Sequence, residues 1–130
     1  MSRFLCQLDL RLMVDDEGIP MMNRSGEQLW EVLTPLGYMS DTTNSTIIVP
    51  EGFVTDLTSI PRMPLVYVSL GNKAQMAAVI HDYLYSTAEF TRKIADKVLL
   101  EAMEVTQVPW IQRRLVYAGV RVGGGSHYGT

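Results

Sequence analysis

Residues 77–96 read AAVIHDYLYSTAEFTRKIAD. Ala77, Ile80 and Leu84 recur at helical spacing, which predicts a helix over Lys73–Tyr85. Ser86 to Phe90 is a break, and Thr91 can cap a second helix running to about Val105. Ile94, Val98, Ala102 and Val105 form its apolar stripe. A short connection makes the two helices antiparallel neighbours. Pro109 suits the first turn of a third helix, with Ile111, Leu115 and Val122 on its apolar side. Gly123-Gly124-Gly125 ends that helix, because glycine tolerates a left-handed terminal position. The tail from 123 to 130 reads as mobile.

The chain upstream follows a different period. Leu8, Leu10 and Leu12 alternate with Asp9 and Arg11, a strand pattern that ends in the turn Asp15-Asp16-Glu17-Gly18. Leu29 to Leu33 is a second candidate strand, broken by Pro35-Leu36-Gly37, and Tyr38-Met39-Ser40 continues the sheet. Thr46-Ile47-Ile48-Val49 is rich in β-branched residues. Pro50-Glu51-Gly52 then turns the chain into Phe53-Val54-Thr55-Asp56. Strands first and helices later predict an α+β fold in one domain, residues 1–130. An antiparallel β-rich half, 1–61, packs on a bundle of about three helices, 73–122.

Composition excludes several functions. The 130 residues carry a net charge of −3 and no basic block, which argues against nonspecific nucleic-acid binding. With Cys6 as the only cysteine, an internal disulfide framework is excluded. Two histidines and one cysteine are too few soft ligands for structural zinc. No apolar run is long enough to span a bilayer, and the first residues lack the apolar region of a signal peptide. The expectation is a soluble protein of the cytoplasm.

The polar residues of the helical half suggest a site. His81 and Tyr85 lie four apart and share a helix face, whereas Asp82 lies about 100° around the helix from His81. Arg92 and Asp96 are also four apart and can pair. Across the break, Tyr85, Arg92 and Asp82 come into one neighbourhood. The stretch Phe53 to Arg62 joins a strand to the helical half, and Thr55, Asp56 and Ser59 can project from it. A hard cation such as Mg2+ is chemically compatible with Asp56, Asp82, Asp96 and water. Each residue also has a plainer reading. His81 can be a helix histidine bonded to Asp56, Ser59 a turn residue before Pro61, Cys6 buried packing, and Arg62 or Arg92 an ion-pair partner.

These motifs occur in an order that resembles a known family. Val49-Pro50-x-Gly52-Phe53-x-Thr55-Asp56-Leu57-x-Ser59-Ile60-Pro61-Arg62 is followed by Ala78-Val79-Ile80-His81-Asp82-Tyr83-Leu84-Tyr85. Arg92-x-x-Ala95-Asp96 and Glu101-Ala102-Met103 come next, and Tyr117, Val120 and Arg121 fit the end of the pattern. Over about residues 46 to 123 the chain is similar to domain-of-unknown-function family 1353, found mainly in tailed phages and prophages. It departs at Met63-Pro64-Leu65, where the family shows an aromatic residue. The resemblance implies a phage origin, which makes the cytoplasm expected from the absence of a signal peptide or membrane-spanning run that of the host, and it marks where the site is. It implies no reaction.

One polar pocket between the β-half and the first two helices is therefore expected. Asp56, His81, Asp82 and Asp96 are its catalytic candidates. Arg62, Arg92, Tyr85, Ser59 and Thr55 are its ligand-binding candidates. The leading function is a hydrolase in which His81 activates water and Arg92 neutralises an anionic substrate, with phosphoester, nucleotide-derivative and cell-wall substrates all compatible. One alternative is a noncatalytic binder of a host nucleotide signal or host defence protein. Another is a virion or assembly component.

Overall fold

A computed structural model describes residues 1–57 and 73–129. Among the described residues, six strands precede three helices: β1 (Arg3–Phe4), β2 (Leu10–Leu12), β3 (Trp30–Val32), β4 (Leu36–Ser40), β5 (Ser45–Val49), β6 (Val54–Thr55), α1 (Gln75–Thr87), α2 (Arg92–Val105) and α3 (Trp110–Gly123). A single 3-10 turn, Gly124–Ser126, follows. The strands form two three-stranded antiparallel sheets, in the orders β1-β4-β5 and β2-β3-β6. The fold is α+β, as the change of period predicts.

The β4–β5 hairpin shows why these residues pair. Leu36 lies opposite Val49 and Tyr38 opposite Ile47, and all four are buried. Thr46 and Ile48 point the other way and are exposed. Leu36 and Gly37, expected as a break, belong to β4, so the interruption is confined to Leu33–Pro35. After β5, the Phe53 N–H donates to the Pro50 carbonyl at 3.2 Å, and Gly52 takes φ +88°. That conformation suits glycine at the third position of a tight turn. The core joins Val32, Leu36, Tyr38 and Val49 of the sheets to Ile80 and Leu84 of α1 and Val98, Leu99 and Met103 of α2.

The helices follow the expected order with shifted ends. α1 runs through Ser86 and Thr87 and stops where Ala88 turns left-handed at φ +51°. Thr91 caps α2, accepting the Ile94 N–H at 3.3 Å. Pro109 stands one position ahead of the first turn of α3, as its cap residue.

The rotation of α3 differs from the expected one. Val116 and Val120 face inward, while Ile111, Leu115 and Val122 are 61%, 44% and 90% exposed. Polar pairing favours this rotation. It aims Arg121 at Asp96 and brings the Val120 and Arg121 carbonyls to Arg92. Cys6 also departs from expectation: it is exposed, with Sγ 3.4 Å from the Pro35 carbonyl.

The tail is tied down rather than loose. The Gly129 N–H donates to the Tyr85 carbonyl at 2.8 Å, and the Tyr128 hydroxyl donates to the Phe90 carbonyl at 2.5 Å. The Tyr128 and Tyr85 rings meet edge to face, with centroids 5.4 Å apart. Gly123 and Gly124 have right-handed φ values of −108° and −78°, so a left-handed cap is not what places glycine here. Space is the reason at Gly124, where a Cβ would sit 2.6 Å from the Tyr85 hydroxyl oxygen. Gly124→Ala should therefore displace the Tyr85 ring and cost about 1–3 kcal/mol, measured by urea unfolding. A wild-type midpoint would show that the ring has room to move.

A second tie joins sheet to helix. Glu101 of α2 accepts from the Tyr38 hydroxyl (2.7 Å), the Ser40 hydroxyl (2.8 Å), the Thr42 N–H (2.9 Å) and the Thr42 hydroxyl (2.6 Å). Partial burial opposes its ionisation, but these four donors outweigh it and hold its pKa below the ordinary value. Tyr38 is pushed strongly upward by burial and by its bond to Glu101. Glu101→Ala leaves several donors without their acceptor and should destabilise by about 2 kcal/mol or more, read by chemical denaturation. A loss below half of that would mean water replaces the carboxylate freely.

Candidate functional site

The expected site residues divide between two places. The first is a buried clamp that joins α1, α2 and α3. His81 and Tyr85 sit one turn apart on α1, with ring centroids 4.1 Å apart, and both point at Asp96 of α2. His81 Nε2–H donates to Asp96 Oδ1 at 2.7 Å, and the Tyr85 hydroxyl donates to the same oxygen at 2.5 Å. Arg121 Nη1 of α3 donates to Asp96 Oδ2 at 2.7 Å. Arg92 does not pair with Asp96. Its Nη2 donates to the Val120 and Arg121 carbonyls at 2.7 and 2.6 Å, satisfying the end of α3.

The electrostatics of the clamp follow from its burial. His81 is 1% exposed and Asp96 is fully buried. Burial lowers the His81 pKa and outweighs the upward pull of Asp96, so the imidazole is neutral and the contact is not an ion pair. Burial also opposes the Asp96 charge, but bonds from His81, Tyr85 and Arg121 hold its pKa below the ordinary value. Burial and the bond to Asp96 push Tyr85 up to about 12. His81, Tyr85 and Arg121 each spend a donor on the one carboxylate of Asp96. A histidine without solvent contact is not placed to activate water.

The second place is an open cleft between β6, the start of α1's last two turns, and the tail. Asp82, beside His81 in sequence but turned away from it around α1, faces the sheet. The buried Thr55 hydroxyl donates to Asp82 Oδ2 at 2.6 Å and accepts the Leu57 N–H at 3.1 Å. Leu57 takes a left-handed φ of +59°, a conformation costly for a bulky side chain. Just before it, Asp56 Oδ2 accepts from Asn23 Nδ2 at 2.8 Å. Asn23 Oδ1 accepts the Ser25 and Glu27 N–H groups, both at 2.9 Å, which fixes which end of the amide faces Asp56. Asp56, Asp82, Ser86 and His127 supply the polar lining of a cleft of about 200 Å³, and Phe53 and Val54 supply part of its apolar wall.

Asp82 is the perturbed group of the cleft. Burial raises its pKa to about 6, and the Asp56 charge adds to the rise. The Thr55 bond and His127 pull the other way without cancelling it. A carboxyl that changes charge near neutral pH inside a cleft is suited to acid–base work.

The single pocket expected from the sequence is thus corrected. His81, Asp96, Tyr85 and Arg92 belong to the clamp and its surroundings, while Asp56, Asp82 and Thr55 belong to the cleft. The separation follows from the helical period, which sends adjacent residues to different faces. The hard-cation set Asp56, Asp82 and Asp96 does not converge, since Asp96 is enclosed by the clamp. Among the described residues, no group of three or more His, Cys, Asp or Glu could hold a metal ion. Ser59 and Arg62 lie outside the described residues. Arg121, Asn23 and His127 were not among the expected site residues. Arg121 carried a signal, one turn beyond Tyr117 on an apolar-periodic helix with no acid of its own. Asn23 and His127 carried none, since both reach the site through long-range packing.

A family model described as protein of unknown function (DUF1353) matches residues 30–120. The chain belongs to this family. The match begins at β3, ahead of the motifs recognisable in the sequence, and covers His81, Tyr85 and Asp96 of the clamp together with Asp56 and Asp82, but stops one residue short of Arg121. His127 lies beyond it. Neither the curated proteins nor the solved structures returned a match. Among the described residues, no helix is long and apolar enough to cross a membrane.

Proposed function

We propose that this DUF1353 protein is a hydrolase working through the Asp82 carboxyl. The observation that carries the reading is a carboxyl held at a pKa of about 6 in an open cleft. With Thr55 on Oδ2, the Asp82 proton is available on Oδ1, where it can be given to a leaving group. Burial, helped by the nearby charge of Asp56, itself anchored by Asn23, raises the pH at which Asp82 gives up that proton to about 6. Two carboxylates against one imidazole disfavour a phosphate, and no described arginine lines the cleft. Arg92, which the anionic-substrate reading required, is occupied by the carbonyls of α3. Neutral or cationic cell-wall glycans and peptides remain the better substrates, and they suit the phage setting that the family resemblance implies. The clamp holds the α1 helix that carries Asp82.

The test uses purified peptidoglycan sacculi and follows soluble reducing ends and free amines. Wild-type protein should release one of these, and Asp82→Asn should lower the rate by about 10²–10⁴. Absence of any release, or equal rates in the two proteins, sinks the reading. Retention of an intact host nucleotide by the purified protein would favour the binder instead.

A further inference from the structure

The glycine-rich tail reaches the cleft, and it brings a histidine there. Two anchors bracket His127. On one side Gly124 is packed against the Tyr85 hydroxyl with no room for a side chain. On the other, Tyr128 bonds the Phe90 carbonyl and Gly129 bonds the Tyr85 carbonyl. The His127 N–H itself closes the 3-10 turn onto the Gly124 carbonyl at 3.0 Å. The side chain between these anchors lines the same cleft as Asp82, Asp56 and Ser86. The charged groups facing it there are Asp82 from α1 and Asp56 from the end of β6. Imidazole is the side chain whose ordinary range lets it take up or release a proton near neutral pH.

We infer that His127 is the third functional group of the cleft, held in place by the tail and acting as the base that complements the Asp82 acid. This assignment rests on the hydrolase reading for its chemistry and on the tail anchors for its geometry. In the step it implies, a water oxygen bonds to the substrate carbon and gives one proton to the His127 imidazole. The bond from that carbon to the leaving group breaks, and the Asp82 proton goes to the departing atom. The cleft is left with an imidazolium beside a carboxylate. Return of one proton from His127 to Asp82, directly or through water, restores both groups. A histidine and a carboxyl in one cleft can complete this cycle without another reagent.

Two measurements on the full chain test the inference. The first needs no substrate: the Asp82 carboxyl is titrated by carbon NMR in wild type, His127→Ala and Tyr128→Ala. Removing His127, whose interaction lowers the Asp82 pKa, should move the Asp82 midpoint upward, and releasing the tail through Tyr128→Ala should move it the same way although His127 is intact. The second uses sacculi: His127→Ala should lower kcat by about 10²–10⁴, and added imidazole should restore part of the rate. An unchanged Asp82 midpoint in His127→Ala overturns the inference whatever the wild-type activity. So does a normal rate in that variant, or a loss that imidazole does not rescue. A shifted midpoint in a wild type that cleaves no sacculi overturns the hydrolase reading instead and supports the placement of His127.

Discussion

Asp96→Ala should lose about 3–5 kcal/mol of stability, enough to leave much of the protein unfolded at ordinary temperature. The residue is fully buried, and one donor from α1's histidine, one from its tyrosine and one from α3's arginine end on it. Removing the carboxylate strands a neutral imidazole N–H, a phenol and part of a guanidinium in the core. Asp96→Asn should cost less but still be costly, because an amide presents one acceptor oxygen where the clamp uses two. Urea unfolding of the two variants checks both values. A loss under about 1 kcal/mol in Asp96→Ala would show that the three donors find other partners.

The same clamp predicts the acid limit of the fold. His81 has a lowered pKa, so the stability it contributes is present above the ordinary histidine value near 6.5 and fades as pH falls through its folded value. Asp96 is also lowered, so its contribution is present above about 3.9 and is lost as pH falls further. The two windows run in the same direction and succeed one another. Acid unfolding should therefore begin with His81 charging inside a site shielded from solvent.

The clamp also shows what the sequence could and could not convey. The His81–Tyr85 face was legible, because a separation of four residues fixes neighbours on any helix. The same rule allowed Arg92 to pair with Asp96, and there it misled. An arginine 25 positions later took the carboxylate, and Arg92 turned to the end of α3. Both outcomes satisfy the local period, and only tertiary packing chooses between them. The rotation of α3 posed a similar ambiguity, since Val116 and Val120 make as good an apolar stripe as Ile111 and Leu115. Strand identity was easier to read than strand extent. β5 was visible in its β-branched run, whereas the start of β4 was hidden behind Pro35. The tail was misread because glycine usually signals freedom, and at Gly124 it marks a close approach to Tyr85.

Asp82→Asn should stabilise the protein while disabling it. A carboxyl with a raised folded pKa contributes most below its unfolded value, near 3.9, and that contribution is lost as pH rises through its folded value, about 6. Above pH 6 the wild type must hold a charge in a largely buried position next to Asp56. The difference between the two values corresponds to about 2–3 kcal/mol at pH 8. Asparagine keeps an oxygen for the Thr55 hydroxyl and carries no charge, so the variant should unfold several degrees higher than wild type at pH 8. At pH 3.5 both side chains are neutral, and the advantage should vanish. A scaffold carboxylate behaves in the opposite way, as Glu101 and Asp96 do, with pKa values held down by their donors. Thermal melts across pH thus separate a working carboxyl from a structural one without any substrate. A variant less stable than wild type at pH 8 would place Asp82 with the scaffold and remove the basis for acid–base chemistry in the cleft.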